Sequence, residues 1–490
     1  MKMAFITSGQ ESLGVEALSA YLKKHDHQVR LFFDPQTFGG SIFLRINFLK
    51  KMLELKEKIV SQVIEWQPDI IGFSCMVHNY QWSLDIAREI KKRAKTIPII
   101  FGGIQATTIS DEVLGNDCVD MVAIGEAELS LTELLEDIEK GNGRTDIEGI
   151  YFKKDGNIIK NPVHPLVKNL DDLPFMDKAL FFDKIPGFIK KSYSIMASKG
   201  CPFSCTYCSN DFLKDLYRGD KFCRKRSVDH VIRELKEAKQ KYNFKKVHFY
   251  DEIFPSELSW LREFSERYRQ EIGVPFQVYY HAKMGTEERI KLMKEAGCWI
   301  VFFGLQSASD KVRRDVCNRF YSNEEIESFV NLCKKYDIQV SIDHIFGFPD
   351  ETVDHLKEAT DFYRKISPDI IYSFWLTYYP KTKIIDKALE CNLLTEDDMK
   401  KINSGEESFF YAPTFVKNKK QLVRYQTLFD LIPLLPADIH KKLSEKEFLV
   451  KMLPYGYFAH FFLVFLAGFR LKYNIFADTF KLLFSRKYVP

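Results

Sequence analysis

The 490-residue chain has no apolar run long enough to cross a membrane as a helix. The nearest candidate, residues 457–469, is 13 residues long and would span about 20 Å as a helix, against a hydrocarbon layer of roughly 30 Å. Residues 1–9 hold too short an apolar stretch for a secretory signal and no cleavage site. Charge of one sign is scarce: 71 Lys and Arg against 67 Asp and Glu leave a net +4, with no basic block of the kind that binds nucleic acid. Internal repeats and low-complexity tracts are absent. There is no second CxxC-like pair of cysteines, which speaks against a structural zinc site. Ten cysteines without an export signal fit a reducing compartment, so a cytoplasmic location is expected. What remains is ordinary globular composition, 46% apolar and 28% charged, on a chain long enough for two to four domains.

Against this background one feature stands out. Cys201, Cys205 and Cys208 follow the apolar run 193–198 with spacing C-x3-C-x2-C. Gly200 and Pro202 mark the segment as a loop. Three soft thiolates in one tight loop suit three corners of a cubane iron–sulfur cluster, which leaves one iron open to a small molecule. Zinc held by the same thiols with Cys223 or His230 is the competing reading. The other seven cysteines (75, 118, 223, 298, 317, 333 and 391) are scattered, mostly in apolar runs, and read as small buried hydrophobes.

The chain around this loop divides into four parts. In 1–140, apolar strands over 2–7, 28–33, 69–75, 97–101 and 120–124 alternate with helical patterns over 15–25, 53–66, 82–94 and 128–140. That alternation predicts a flavodoxin-like, doubly wound parallel sheet whose strand-end loops gather on one edge. Residues 141–190 read as a connector. It holds a hairpin over 149–161 turning at Asp155-Gly156, then Pro162, Pro165, Pro174 and Pro186. In 191–385 six strands follow (193–198, 246–250, 276–282, 299–305, 339–346 and 370–379), most with a helix behind them. The first such helix is expected to start with Ser256 as its cap. Six such units predict a partial (β/α)6 barrel. Residues 386–490 lose the strand rhythm and read as mainly helical, with an aromatic-rich apolar stretch over 457–469 followed by Arg470, Lys472 and Lys481.

Chemistry on parallel β/α sheets collects at the C-terminal ends of strands. The first barrel strand ends at the cysteine loop, with Tyr207 between two of the thiols. The second ends in Asp251-Glu252, the fourth in Gly304-Leu305-Gln306-Ser307, and the fifth in Ile345-Phe346-Gly347-Phe348-Pro349. Singly, each is an ordinary strand end. In this order, over about residues 190–385, they resemble the motif set of the radical S-adenosylmethionine (SAM) enzymes. The resemblance implies a 4Fe–4S cluster on Cys201, Cys205 and Cys208, whose open iron chelates SAM. It places Tyr207 over the adenine, Asp251 and Glu252 near the SAM amino group, and Gln306 and Ser307 at the ribose and carboxylate. Ile345, Gly347 and Pro349 then lie beside the adenine. Many members have glutamate where Gln306 stands.

A doubly wound domain ahead of such a barrel resembles the cobalamin-binding, class B branch of that superfamily. On this resemblance, cobalamin borders Ser8 and Gly14 after the first strand and Ser74 and Cys75 after the third. It also borders Gly102, Gly103 and Gln105 after the fourth and Gly125 and Glu126 after the fifth. The loop Ser8-Gly9-Gln10-Glu11-Ser12-Leu13-Gly14 has no histidine, so cobalt is expected to lack a histidine lower ligand. His78 reads as a surface or edge residue, and many relatives carry histidine where Gln105 stands. A methylthiotransferase would need a second three-cysteine cluster in this domain, which has only Cys75 and Cys118.

The resemblance implies methylation of an unactivated carbon, less often phosphorus, of a small-molecule or lipid-like substrate. In that reaction a deoxyadenosyl radical abstracts hydrogen and methylcobalamin supplies the methyl group. Ring closure or rearrangement with the same cofactors is the second expectation, and a non-catalytic cobalamin or iron–sulfur binding module the third. An electron donor such as flavodoxin or ferredoxin is implied, and no nucleic acid. Residues 457–484 are expected to pack on the barrel, the alternative being peripheral contact with a membrane interface.

Overall fold

The structure is a computed structural model, and it describes residues 1–36, 55–182, 184, 191–405, 415–416 and 419–470. Pro186, the first two residues of the helix expected over 53–66 and the tail beyond Arg470 lie outside the described residues.

Seven strands form the first sheet: β1 (Lys2–Ser8), β2 (Gln28–Asp34), β3 (Ile70–Ser74), β4 (Ile99–Gly102), β5 (Met121–Ala123), β6 (Ile150–Lys154) and β7 (Asn157–Ile159). Their order is β2-β1-β3-β4-β5-β6-β7, parallel through β5 and antiparallel from there on. β1 is buried from Met3 to Ser8 because helices cover both faces of the sheet, as its unbroken apolar run requires. The helix Leu13–Lys24 starts on Ser12, whose hydroxyl accepts the Val15 N–H. Asp155 and Gly156 both take positive φ, 49° and 78°, which is the geometry of a two-residue hairpin turn. The expected hairpin therefore forms. It does not stand apart as a connector: β6 pairs with β5 and carries the first sheet past residue 140.

The second sheet contains β8 (Ser192–Ile195), β11 (Lys246–Phe249), β12 (Phe276–Tyr280), β13 (Cys298–Gln306), β14 (Gln339–Phe346) and β15 (Ile370–Trp375). Its order is β8-β11-β12-β13-β14-β15, every pair parallel. Between β8 and β11 in sequence, the short strands β9 (Ser198–Lys199) and β10 (Arg224–Lys225) make a separate antiparallel pair. Alternate residues of the barrel strands (Val247 and Phe249, Val278 and Tyr280, Val301 and Phe303, Ile342 and Phe346) pack outward against the helices. β15 stops at Trp375 instead of reaching 379, since its one partner, β14, ends at Phe346 directly opposite. Ser256 does not cap the next helix. That helix begins at Leu258 with Glu257 at its N-terminus, and the Ser256 hydroxyl lies on the Met284 sulfur.

Helices follow the barrel, as its sequence predicts. Lys419–Leu431 packs behind β14 and β15, where Trp375 Nε1 donates to Gln426 Oε1 at 3.1 Å. Tyr457–Gly468 lies across the N-terminal ends of the strands. Its Val464 and Ala467 pack against Trp299, Ile300, Phe302 and Ile370, and His460 Nδ1 meets the buried Asp430 carboxylate at 2.8 Å. This helix plugs the floor of the barrel. Its opposite face is not buried: Phe458, Phe462 and Phe469 are each more than half exposed. The expectation of a helix packed on the barrel therefore holds for one face only. No described helix is long and apolar enough to cross a membrane.

Candidate functional site

The cysteine loop is pinned from several sides before any cofactor is considered. Thr206 N–H donates to Cys317 O, its hydroxyl to Val316 O at 2.6 Å, and Asn318 Nδ2 to Ser204 O at 2.7 Å. Lys214 Nζ donates to Phe203 O at 2.9 Å, and the Phe203 ring stacks on His281 with centroids 3.8 Å apart. Cys205 is buried, while Cys201 and Cys208 are partly open. Cys208 also starts the helix Ser209–Leu216, whose N-terminal dipole favours a thiolate there. Burial pushes the Cys201 thiol up to about 12 and raises Cys208 as well. The free Cys201 and Cys208 thiols are therefore protonated at neutral pH, and binding metal must displace those protons. Among the described residues no three His, Cys, Asp or Glu side chains converge on one point as a single metal ion requires. A cubane spreads its thiolates over three different irons and needs no such convergence.

Arg319 organises this corner, and sequence reading did not find it. Its Nη1 donates to Cys205 Sγ at 3.4 Å and to Tyr207 Oη at 2.7 Å, its Nη2 to Gly304 O at 2.7 Å, and its Nε to Tyr321 Oη at 2.7 Å. One guanidinium thus ties the cysteine loop to the end of β13. Tyr207 lies edge-on to Phe348, with centroids 5.7 Å apart, so the residue expected over the adenine adjoins the Ile345–Pro349 segment. No local pattern around Arg319 announces this role, because its partners other than Tyr321 lie 15 and 112–114 residues away.

The strand ends beside the loop carry acceptors with nothing to accept. Asp251 Oδ1 takes hydrogen bonds from Ala197 N–H and the Ser198 hydroxyl, yet Oδ2 is buried without a hydrogen-bond partner. Burial pushes this carboxyl up to about 7. Gln306 Oε1 is in the same condition, and so is Oε1 of Glu351, whose Oε2 accepts the Gly347 N–H at 2.7 Å. Glu351, two residues past the Ile345–Pro349 motif, is a second residue that sequence reading missed. Gln306 also holds φ at +69°, an uncommon and strained conformation for a residue with a side chain. Its amide folds back over Gly304, where a Cβ would meet Gln306 Nε2 at 2.4 Å. Ser307 is buried and caps its own turn, its hydroxyl accepting the Ser309 N–H. Glu252 is exposed at the rim. Buried acceptors without donors are costly and signal a ligand that brings donors.

The first sheet presents its strand ends to the same region. Ser8 is buried, Ser74 is half-buried and Cys75 is fully buried, while a Cβ added at Gly14 would have no described atom within 4 Å. Gly103 and Gly125 are tightly surrounded. A Cβ on Gly103 (φ +87°) would meet the Cys75 carbonyl oxygen at 2.7 Å, and one on Gly125 (φ +70°) would overlap the Tyr217 hydroxyl. Protein neighbours by themselves already require glycine at both positions. Gly102 has only Ala123 near it. Glu126 is likewise engaged: its N–H donates to Tyr217 Oη at 2.7 Å, and its carboxylate pairs with Arg224 and with Lys199, the latter at 3.3 Å. Lys199 also pairs with Glu128 at 2.7 Å. These contacts clasp the β5 loop to the β9–β10 ribbon beside the cysteine loop. Gln105 Nε2 donates to Asn403 O at 3.2 Å, so the C-terminal helices reach this edge too. His78 is partly buried at this edge, and burial lowers its pKa.

Comparison with known proteins agrees with this geometry. The radical SAM superfamily profile matches residues 195–363, and the B12 binding domain profile matches residues 6–135. Together they take in more than half of the chain. An uncharacterized methyltransferase, PH0819, of Pyrococcus horikoshii is 28% identical over 339 residues, covering 69% of this chain and 72% of its own length. The anaerobic magnesium-protoporphyrin IX monomethyl ester cyclase of Rubrivivax gelatinosus is 25% identical over 407 residues, covering 78% of this chain and 68% of its own. Among solved structures, the radical SAM methyltransferase TsrM of Kitasatospora setae, with tryptophan and a SAM analogue bound, superposes with a TM-score of 0.65. It shares 16% identity over 80% of this chain and 77% of its own, and so bears on the fold. The chain is a radical SAM enzyme of the branch that carries a B12-binding domain ahead of the barrel, with a 4Fe–4S cluster, SAM and cobalamin as its cofactors.

Proposed function

We propose that this enzyme methylates an unactivated carbon, or phosphorus, of a small molecule. The observation that carries the reading is the set of orphaned acceptors, Asp251 Oδ2, Gln306 Oε1 and Glu351 Oε1, at strand ends that also bear the cysteine loop. They suit the ammonium and hydroxyl donors of SAM. Bound together, cluster and SAM supply hydrogen-atom abstraction from carbon, and cobalamin supplies a transferable methyl group. In this reading Cys201, Cys205 and Cys208 hold the cluster, and Arg319 keeps Tyr207 and the β13 end in place beside it. Gln306, Ser307 and the Ile345–Pro349 segment form the SAM wall. Ser8, Gly14, Ser74 and Gly102 border cobalamin at the facing edge, with no histidine in the β1 loop to ligate cobalt. The first sheet runs on past residue 140 through β6 and β7, and the divisions at 190 and 385 separate it from the barrel and the barrel from the C-terminal helices. An external one-electron donor such as flavodoxin or ferredoxin supplies reducing equivalents. The test is product analysis after reduction of the reconstituted enzyme with SAM and candidate substrates. Methylation yields both 5′-deoxyadenosine and S-adenosylhomocysteine. Deoxyadenosine alone, with full substrate turnover, supports ring closure instead, a reading favoured by the cyclase relative.

The C-terminal region supports a separate proposal, that the enzyme docks peripherally on anionic membranes. Residues 419–490 hold 12 Lys and Arg against 5 Asp and Glu, a net +7 in a chain whose total is +4. The same region exposes Phe448, Met452, Tyr455, Phe458, Phe462 and Phe469. Aromatic side chains beside excess positive charge match an interfacial anchor. This surface lies at the barrel floor, away from the cysteine loop, so it supports location more than delivery of a lipid substrate. With vesicles containing phosphatidylserine, the full chain is expected to float and the Phe458→Ser, Phe462→Ser double variant to stay in the soluble fraction. Equal behaviour of the two would remove the proposal.

A further inference from the structure

Inside the barrel, the residues alternating with the outward core form an aromatic wall. His248 on β11 stacks on Tyr250 with centroids 3.7 Å apart, and on Tyr279 and Phe302 at 5.8 and 6.1 Å. Phe302 in turn stacks on Tyr372 at 6.3 Å. His248, Tyr279 and Tyr372 are only partly buried, and Tyr250 is 42% exposed, so the wall is open to a ligand from above. One carboxylate belongs to this wall. Asp343 lies between Gly304 and Tyr372 in the β13–β14–β15 ladder, one strand layer below the Ile345–Pro349 segment. It has no hydrogen-bond or ion-pair partner among the described residues, although it is partly buried. The nearest cation, Arg319, spends its donors on Cys205, Tyr207, Tyr321 and Gly304. His248 Nε2 is a second buried polar atom without a partner, and burial holds that imidazole neutral, near a pKa of about 3. Burial, with the Glu11 carboxylate of the β1 loop adding to it, keeps the Tyr250 phenol protonated.

We infer that this wall is the substrate subsite and that Asp343 selects a substrate carrying a cationic nitrogen next to an apolar body. The inference rests on the proposed reading in one respect, that substrate enters the barrel beside the SAM wall. Ring faces attract a cation through their quadrupoles, and Asp343, whose carboxyl burial pushes up to about 7, gives up its proton to pair with a cation that arrives there. A neutral or anionic group would leave Asp343 unpaired or face repulsion. Because Asp343 is a ladder neighbour of Gly304, over which the Gln306 amide folds, a cation held there brings the attached carbon close to the SAM wall.

The probes are phenethylamine, phenethyl alcohol and phenylacetate, three molecules that share a ring and differ in charge. Their binding to the reconstituted full-length enzyme is measured calorimetrically. The amine is expected to bind at least about tenfold more tightly than the other two. Asp343→Asn should bring the three within about threefold of one another, while Asp343→Glu keeps the amine preferred. Equal affinities in the native chain, or an amine preference that survives Asp343→Asn, overturn the inference. Formation of 5′-deoxyadenosine and S-adenosylhomocysteine with reductant, SAM and candidate substrates is recorded on the same samples. Absence of both would reject the proposed function while a charge preference dependent on Asp343 stood, so the two failures are distinguishable.

Discussion

Chains carrying Cys201→Ala, Cys205→Ala or Cys208→Ala are expected to lose 5′-deoxyadenosine formation by on the order of a thousandfold or more, the loss that follows when the cofactor carrying the hard chemistry is not held. Iron and sulfide after anaerobic reconstitution, about four of each per native chain, should fall in parallel. The fold should survive, because the loop is anchored through groups other than the thiols. Thr206, Asn318 and Lys214 hold its backbone and Phe203 packs on His281. Circular dichroism and thermal unfolding of the metal-free chains are therefore expected to match the native apoprotein. A triple variant that still released deoxyadenosine would refute the assignment of the cluster to this loop.

The largest stability effect is expected at Lys178. Its ammonium is buried beneath the first domain, 2.6 Å from Glu16 and 3.1 Å from Glu11, with Glu16 itself fully buried. Desolvation raises the Glu16 pKa, and Lys178 is the group that opposes that rise. Lys178→Met leaves a buried carboxylate uncompensated and should cost about 3–5 kcal/mol. Adding Glu16→Gln should restore part of that loss, since the stranded charge is then gone. Urea unfolding of the four chains in this cycle measures both quantities. If the single and double variants are equally unstable, the cost lies in packing and not in charge. Asp177, the preceding residue, also reaches back to Ser19 and Lys23 at 2.7 and 2.6 Å. The prolines that read as an irregular connector thus deliver a set of ionic anchors onto the helix after β1.

Strand order was legible where the pattern was strongly periodic. The run at 2–7 reappears almost residue for residue, since a strand buried on both faces must be apolar throughout; those at 28–33 and 339–346 reappear too, with polar residues where β2 lies at the sheet edge and where β14 faces the barrel interior. Strand ends were less legible: β15 halts at Trp375 because β14 runs out beside it, a fact about its neighbour. The glycines after β4 and β5 show the same limit. Gly103 and Gly125 read as openings for a flat ligand, and only the folded chain adds that the Cys75 backbone and the Tyr217 hydroxyl also leave no room for a Cβ there.

By itself the sequence determined the chemistry and its order along the chain. Three thiols at C-x3-C-x2-C, carboxylates after the second barrel strand and a doubly wound domain ahead of them are local patterns, set by spacing and periodicity within short windows. Only the tertiary structure decided which groups share a site. Arg319 meets Cys205 across 114 residues, Arg224 and Lys199 clasp Glu126 across 98 and 73, and Asp343 faces an aromatic wall drawn from four other strands. It also decided that the C-terminal apolar helix buries Val464 and Ala467 on the barrel floor while Phe458 and Phe462 face outward. In a helix apolar on nearly every face, periodicity cannot say which side meets protein. The shape of the barrel floor chooses.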